Sequence, residues 1–239
     1  MPLVSISIKI PPYGYDDDDG PNQWEGSCQI GLKQSPVDIT SSSTDLDALP
    51  LFQFENYGKT GDIILQNTGT TIVASGFDKW SEVPFIQSGG LRSKYILKFF
   101  HLHWGQSDIV GSEHSFSSFR YPAELHLVHA KEGHSLDDVT LDSDVMAIIA
   151  FFIKLGNDDR SFYQLEPLMK DIIEFGPCTP LPSGSKTSLH NFNLTNFLIG
   201  STETFYQYEG SLSTPPCSEA VVWTLMADPL IITDKQVTF

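Results

Sequence analysis

Three histidines in two short apolar segments could hold a metal ion. His101 and His103 are two residues apart, so on a β-strand both imidazoles project from the same face. His126 lies in a second segment, where it shares a face with Glu124, whereas His129 occupies the opposite face. Three neutral imidazoles with an open fourth position form a catalytic zinc site. A lone histidine on a strand is more often a hydrogen-bonded sheet residue, so spacing alone leaves both interpretations open.

Short β-branched and aromatic runs must position these histidines. Such runs, separated by Gly, Pro and Asn, cover residues 62–65, 70–74, 95–103 and 123–129. This pattern predicts strands joined by turns. Residues 145–153 form an apolar run with the length of a buried strand, too short to cross a bilayer. Helical periodicity is convincing only over residues 161–173. The sequence therefore predicts a mainly β (α+β) protein with a few short helices.

Length, charge and cysteine count limit the classes of function. The 239 residues, 40% of them apolar, predict one domain over residues 1–239, with residues 1–12 as a strand-like N-terminal extension rather than an apolar secretory signal. A formal charge of −16 disfavours nucleic acid as a partner. The three cysteines, Cys28, Cys178 and Cys217, permit one disulfide, and the sequence does not choose the pair.

Two further motifs make the histidine pattern specific. Gly-Ser-Glu-His at 111–114 precedes the third histidine, and Gly-Ser-Leu-Ser-Thr-Pro-Pro-Cys follows at 210–217. With Tyr-Gly-Tyr at 13–15 and Gln-Ser-Pro-Val-Asp-Ile at 34–39, the chain resembles the alpha carbonic anhydrases over nearly its whole length. The resemblance implies a central twisted, mostly antiparallel sheet with zinc at the base of a conical cleft. Its metal ligands match His101, His103 and His126.

The resemblance also implies the reaction and the roles of several residues. The family hydrates carbon dioxide reversibly to bicarbonate and a proton through a zinc-bound hydroxide, and it is inhibited by sulfonamides and anions. Ser213 matches a gatekeeper hydroxyl that donates to Glu113, Thr214 lies beside the bicarbonate site, and Glu124 accepts a hydrogen bond from His126. The residues that match the apolar pocket for carbon dioxide are Val128, Ile148, Leu212, Val221 and Trp223.

Several positions differ from the family pattern. Thr70 stands where fast members have a proton-shuttle histidine, and a hydroxyl does not titrate near neutral pH, so we expect a moderate rate. Phe99 replaces a glutamine that would accept a hydrogen bond from His101, and Val73 also replaces a polar residue of the cleft. Ser213 keeps the hydroxyl of the usual threonine but loses its methyl group, and Ile148 is one methyl group larger than the usual valine.

The resemblance bears on the cysteines as well. It pairs Cys28 with Cys217, as in secreted and membrane-anchored members. This pairing predicts an extracellular location. In that location, Asn193 in Asn-Leu-Thr becomes a candidate glycosylation site. Cys178 would remain idle or join two chains. The sequence stops at Phe239, before the family's last segment. Either the sequence is a shortened form, or the strand-like residues 2–10 or a partner chain fill the gap. No membrane span is expected.

A second class of function has the same fold. A non-catalytic binding, storage or biomineral-matrix module would retain the sheet, but such members usually lose a zinc ligand. This chain keeps all three matching histidines and the residues that match the gatekeeper pair, so the sequence favours the zinc enzyme.

Overall fold

The computed structural model describes residues 13–15, 17–139, 144–167 and 185–237. Its strands are β1 Asp38–Ile39, β2 Phe52–Glu55, β3 Gly61–Asn67, β4 Ile72–Ser75, β5 Phe85–Ser88, β6 Tyr95–Trp104, β7 Ser115–Phe116, β8 Ala123–Lys131, β9 Met146–Leu155, β10 Lys186–Phe192, β11 Phe205–Gly210 and β12 Val221–Ile232. Helices in these ranges are short: α1 Ser27–Ile30, α2 Asp234–Val237 and the 3-10 helices Pro21–Gln23, Phe77–Lys79, Leu136–Asp138 and Thr195–Leu198.

Ten of the strands form one sheet. Its main path runs β10-β3-β4-β6-β8-β9-β12-β11, with β2 and β5 attached through β6. Among the described strands, the β9–β12 pair is parallel and every other pair of this sheet is antiparallel. The predicted fold, a twisted and mostly antiparallel sheet with few helices, is confirmed, and the predicted runs at 62–65, 70–74, 95–103 and 123–129 correspond to β3, β4, β6 and β8.

The sheet is covered on both faces, which explains its apolar central strands. Along β9, Ala147, Ile149 and Phe151 join one hydrophobic cluster, whereas Ile148 and Ala150 join a second cluster on the other side. A strand buried on both faces reads as a continuous apolar run instead of an alternating one. The run at residues 145–153 is therefore a buried strand, as its length predicted. Its pairing with β8 places His126 deep in the sheet.

Some sequence predictions fall outside the described residues. The predicted helix over 161–173 is described only as far as residue 167, where Phe162 and Leu165 are buried in the core. Its remaining part, Cys178 and residues 1–12 lie beyond the described ranges. Within those ranges, no helix is both long and apolar enough to cross a membrane.

A disulfide joins the N-terminal part of the chain to the loop after β11. Cys28, in α1, is bonded to Cys217 across 189 residues of sequence. The pairing implied by the resemblance is therefore confirmed. Close to the bridge, the Gln34 side-chain amide donates to the Cys217 carbonyl at 3.2 Å, and the Ser35 backbone N–H donates to the Ser211 hydroxyl at 2.9 Å. These contacts fasten the loop that carries Ser213 and Thr214.

Candidate metal centre

Two neighbouring strands bring the three histidines together. His101 on β6 lies directly opposite His126 on β8, and His103 follows two residues later on the same face of β6. The Nε2 atom of His101 is 2.9 Å from Nε2 of His103 and 3.2 Å from Nδ1 of His126. Three imidazole nitrogens, one from each residue, thus converge on one point.

The surroundings of these side chains keep the imidazoles neutral. Burial lowers the pKa of His101 well below its ordinary value, and the neighbouring histidines lower it further. Burial likewise lowers the pKa of His103 to about 4. For His126, burial lowers the pKa although Glu124 acts in the opposite direction. Neutral imidazole is the form that binds a metal ion, so the cluster is ready to bind one without losing protons near neutral pH.

A buried carboxylate fixes the orientation of His126. Glu124 Oε1 lies 2.7 Å from Nε2 of His126 and 2.7 Å from Nδ1 of His114, and its Oε2 accepts from the His114 backbone N–H at 2.9 Å. Burial acts to raise the pKa of Glu124, but His114 and His126 outweigh it and hold that pKa well below the usual range. With Nε2 of His126 engaged in this way, Nδ1 is left for the metal, as is usual for metal-bound histidine.

The network continues through residues to which sequence analysis assigned no role. Nε2 of His114 is 2.7 Å from the Tyr208 hydroxyl, which donates to Ser35 Oγ at 2.9 Å. His114 and Glu124 are fully buried, so this chain of contacts holds the carboxylate from behind. The sequence offered one signal that His114 belongs to the site, since it directly follows Glu113 in the 111–114 motif. The hydrogen-bond partners of His114, Glu124 and Tyr208, lie on other strands.

His101 has no comparable support. Its Nδ1 atom is buried and has no hydrogen-bond partner among the described residues. The Phe99 ring lies 5.7 Å from the His101 ring, centroid to centroid, and Val73 is its cross-strand neighbour on β4. Neither side chain can accept a hydrogen bond. This is the arrangement expected from the replacement of a glutamine by Phe99.

Glu113 lies beside two of the three histidines. Its Oε1 is 3.4 Å from Nδ1 of His103, and its Oε2, 3.9 Å from Nδ1 of His126, is buried without a hydrogen-bond partner among the described residues. Burial raises the pKa of Glu113, while His126 and the Ser213 hydroxyl oppose that rise. The structure thus brings the Ser213 hydroxyl and the Glu113 carboxylate to the same side of the histidine cluster.

The histidines lie in a cleft of about 610 Å³. The residues named from the sequence that line it are His101, His103, His126, Ser213, Thr214, Thr70, Val73, Phe99, Val128, Ile148, Leu212 and Trp223, together with Tyr13, Tyr15, Pro215 and Pro216 of the family motifs. Glu113, Glu124 and Val221 do not line it, and Val221 packs in the hydrophobic cluster behind Ile148 and Trp223. The sequence did not point to Leu136, Val139 and Met146, which also line the cleft. Leu136 and Val139 lie in and just after a 3-10 helix, and only the folded chain brings this helix to the cleft.

The donor set fits zinc. Zinc favours imidazole nitrogen ligands and, in catalytic sites, three protein ligands with one position left open. Here three nitrogens converge, one ligand is oriented by a buried carboxylate, and the cleft leaves one side accessible. Among the described residues, the buried Nδ1 of His101 lacks the hydrogen-bond partner that a fully supported zinc ligand has.

Comparisons with known proteins agree with this geometry. The family model of the eukaryotic-type carbonic anhydrases matches residues 19–239. A Caenorhabditis elegans protein provisionally named carbonic anhydrase 5 is 45% identical over 227 residues, which cover 94% of this chain and 71% of that protein. Human carbonic anhydrase 7 is 32% identical over 232 residues, which cover 94% of this chain and 83% of the human protein. Rabbit carbonic anhydrase 4 is 33% identical over 222 residues, which cover 91% of this chain and 68% of the rabbit protein. The chain therefore belongs to the eukaryotic-type carbonic anhydrase family.

Proposed function

We propose that this protein catalyses the reversible hydration of carbon dioxide to bicarbonate and a proton, with zinc held by His101, His103 and His126. The observation that carries the proposal is the convergence of three imidazole nitrogens in an open cleft. Nε2 of His101 is 2.9 Å from Nε2 of His103 and 3.2 Å from Nδ1 of His126. Bound zinc supplies the Lewis acidity that turns water into a nucleophile near neutral pH. Glu124 orients His126 through its hydrogen bond and thereby positions the ligand set.

The residues around the cluster would direct the nucleophile and the substrate. The Ser213 hydroxyl donates a hydrogen bond to the Glu113 carboxylate. The oxygen of Ser213 then remains free to accept a hydrogen bond from the nucleophile and so to align it with carbon dioxide. Burial of Glu113 keeps water from competing for that carboxylate. Thr214 also lines the cleft, where it would contact the product bicarbonate.

An apolar wall would hold carbon dioxide next to the metal. Val128, Ile148, Leu212 and Trp223 line one part of the cleft, and Val221 supports Trp223 from the core. Carbon dioxide has no net dipole and makes weak hydrogen bonds, so an apolar surface suits it better than water does. The additional methyl group of Ile148 narrows this pocket slightly, which moderates the rate.

Proton release would limit the rate. Thr70, which by the family resemblance stands where fast members have a proton-shuttle histidine, lines the cleft. Among the described residues, the histidines that line the cleft are the three proposed ligands. A threonine hydroxyl does not titrate between pH 5 and 8. We therefore propose a turnover of moderate rate, dependent on buffer to carry the proton away.

We also propose that the protein works outside the cytosol. The Cys28–Cys217 disulfide supports this location, because such bridges persist in oxidising compartments. The acidic composition, −16 overall, is compatible with any compartment and does not bear on it. Sulfonamides and small anions should inhibit the enzyme by binding at the open side of the metal.

Stopped-flow measurement of carbon dioxide hydration by the zinc-loaded protein tests the function. We expect hydration well above that of free zinc, inhibited by a sulfonamide. The control is His126→Ala, which should lose zinc and hydration together, with zinc content measured independently by metal analysis. Wild-type protein that retains stoichiometric zinc but hydrates carbon dioxide no faster than free zinc would instead favour the non-catalytic binding or matrix module.

A further inference from the structure

The segment that follows β10 carries a sequence signal that the proposed catalysis does not use. Residues 193–195 read Asn-Leu-Thr, which is the acceptor sequence for N-linked glycosylation, and no other Asn-X-Ser or Asn-X-Thr triplet occurs in the 239 residues. Such a triplet is modified only if the chain passes through the secretory pathway and the folded protein leaves room for the sugar.

The side chain of Asn193 is held in a defined orientation. Its Oδ1 atom accepts hydrogen bonds from the Thr195 backbone N–H at 3.1 Å and from the Thr195 hydroxyl. Its own backbone N–H donates to Oε1 of Gln164 at 3.2 Å. Because the carboxamide group is planar, these bonds turn Nδ2 away from the backbone of Thr195. Thr195, the threonine of the triplet, therefore fixes the direction in which Nδ2, the atom that would carry the sugar, points.

The Nδ2 atom of Asn193 is not fully buried. It makes no hydrogen bond among the described residues, and it is not one of the buried polar atoms that lack a partner. Asn196, three residues later, provides the contrast, because its Nδ2 is buried and unpartnered. Asn193 itself is half-buried, and Thr195 and Asn191 on either side of it are exposed. A sugar attached at Asn193 would leave toward solvent, whereas one at Asn196 would not fit.

The surroundings of Asn193 can accommodate a bulky group. β10 is the last strand of the described sheet path, and among the described strands it pairs only with β3. The segment after it therefore lies at the edge of the described sheet. Leu194 and Phe197 are buried and hold this segment onto the core, with the Leu194 N–H donating to the Tyr57 carbonyl at 3.0 Å. None of the residues lining the metal cleft comes from this segment. A glycan here would not obstruct the active site.

We propose that Asn193 is an N-linked glycosylation site. In the modification, Nδ2 attacks the anomeric carbon of a lipid-pyrophosphate-linked oligosaccharide. The new N–C bond forms as the bond between that carbon and the pyrophosphate oxygen breaks, the electron pair leaves with the lipid pyrophosphate, and the amide proton passes to a base of the transferase. The inference rests on the extracellular location proposed above, for which the Cys28–Cys217 disulfide is the independent structural support.

Translation of the full chain behind a cleavable secretory leader, in the presence of microsomes, tests the site separately from the native location. Only the protease-protected fraction is analysed, with closure of the disulfide confirmed by thiol labelling. We expect a mobility shift that is removed by peptide N-glycosidase, and mass analysis of the peptide containing residues 193–195 should place the glycan on Asn193. Thr195→Ala and Asn193→Gln should abolish the shift, and Thr195→Ser should retain it.

Two results would overturn the proposal. One is a protease-protected wild-type chain with a closed disulfide in which Asn193 is unmodified. The other is a mobility shift that persists in the Asn193→Gln variant. Zinc content and carbon dioxide hydration are measured on the same variants, and both should equal those of the wild type. A loss of hydration in the wild type with a normal glycan would count against the proposed catalysis alone, so the two proposals fail separately.

Discussion

At the scale of single residues, the two ligands that face each other across β6 and β8 differ in what supports them. His126 donates to a buried carboxylate, Glu124, whereas the buried Nδ1 of His101 has no partner among the described residues. An unsatisfied buried polar atom costs about 1–3 kcal/mol, and a missing partner behind a metal ligand typically lowers metal affinity by about 10–100-fold. The replacement of an acceptor by Phe99 should therefore be measurable in the metal site.

Phe99→Gln should tighten zinc binding by about tenfold, because the new side-chain oxygen can accept from Nδ1 of His101 and fix the ring. The zinc dissociation constant is measured by competition with a chromophoric chelator. Phe99→Leu is the matched control, since it removes the ring without providing an acceptor, and it should bind no tighter than the wild type. Equal affinities for the Gln and Leu variants would show that the missing acceptor is not what sets zinc affinity.

Thr70→His should raise the maximal rate of hydration by up to roughly 100-fold, the lower range for a positioned proton donor or acceptor, because an imidazole titrates near neutral pH. Stopped-flow kinetics at increasing imidazole concentration measures the effect. The wild-type kcat should rise with imidazole, whereas the variant should respond less, and kcat/KM should be similar in both. A wild-type kcat that is insensitive to imidazole would contradict proton-limited turnover.

At the scale of elements, the alternation along β8 separates chemistry from structure. Glu124 and His126 lie on the face of the candidate metal centre. His129 points to the other side, where its Nε2 is 2.6 Å from the Tyr57 hydroxyl and its Nδ1 is 3.2 Å from the Ala147 carbonyl. Both His129 and Tyr57 are buried. Burial lowers the pKa of His129 to about 3, so this imidazole stays neutral in the folded protein and ties β8 to the segment after β2.

This neutral histidine should make the fold sensitive to acid. The unfolded chain binds a proton at His129 below about pH 6.5, whereas the folded protein does so only near pH 3. The free energy of unfolding therefore decreases as the pH falls between these values, by about 2 kcal/mol from pH 7 to pH 5 for this residue. Urea denaturation of metal-free protein at both pH values measures the change.

His129→Gln is the comparison for that measurement. Its amide can still bond to the Tyr57 hydroxyl but does not titrate, so its loss of stability between pH 7 and pH 5 should be smaller than that of the wild type by about 2 kcal/mol. Only the difference between the two pH values is compared, which cancels any packing cost of the substitution. The same pH dependence in both proteins would show that His129 does not couple folding to protons.

At the scale of the whole molecule, one covalent bridge connects the beginning and the end of the described chain. The Cys28–Cys217 disulfide spans 189 residues and fastens α1 to the loop bearing Ser213 and Thr214. A bridge across a long loop restricts the unfolded chain and so favours the folded state. Stability and the placement of this loop therefore depend on the same bond.

The double variant Cys28→Ser, Cys217→Ser should lower the free energy of unfolding by about 2–4 kcal/mol. Urea denaturation under non-reducing conditions measures this, and the reductant dithiothreitol should destabilise the wild type but leave the double variant unchanged. Cys178→Ser is the control, because it keeps the bridge and should remain sensitive to dithiothreitol. A double variant as stable as the wild type would mean that folding does not depend on the bridge.

The sequence by itself determined much about this protein. The two-residue spacing of His101 and His103 predicted that they share one face of a strand. The alternation of side chains along the next histidine segment predicted that His126 and Glu124 share a face and that His129 lies on the opposite one. Apolar runs predicted the central strands. These are local properties of a strand, whose side-chain period of two can be read directly from neighbouring residues. The family motifs then supplied the ligand set and the pairing of Cys28 with Cys217.

The tertiary structure decided what depends on residues far apart in sequence. The register that sets His101 against His126, the contacts from Glu124 through His114 and Tyr208 to Ser35, and the burial of Nδ1 of His101 come from different strands meeting in one sheet. Hydrogen bonds and burial are properties of such three-dimensional neighbours, and no local pattern encodes them. For the same reason only the folded protein distinguishes the surface amide of Asn193 from the buried amide of Asn196.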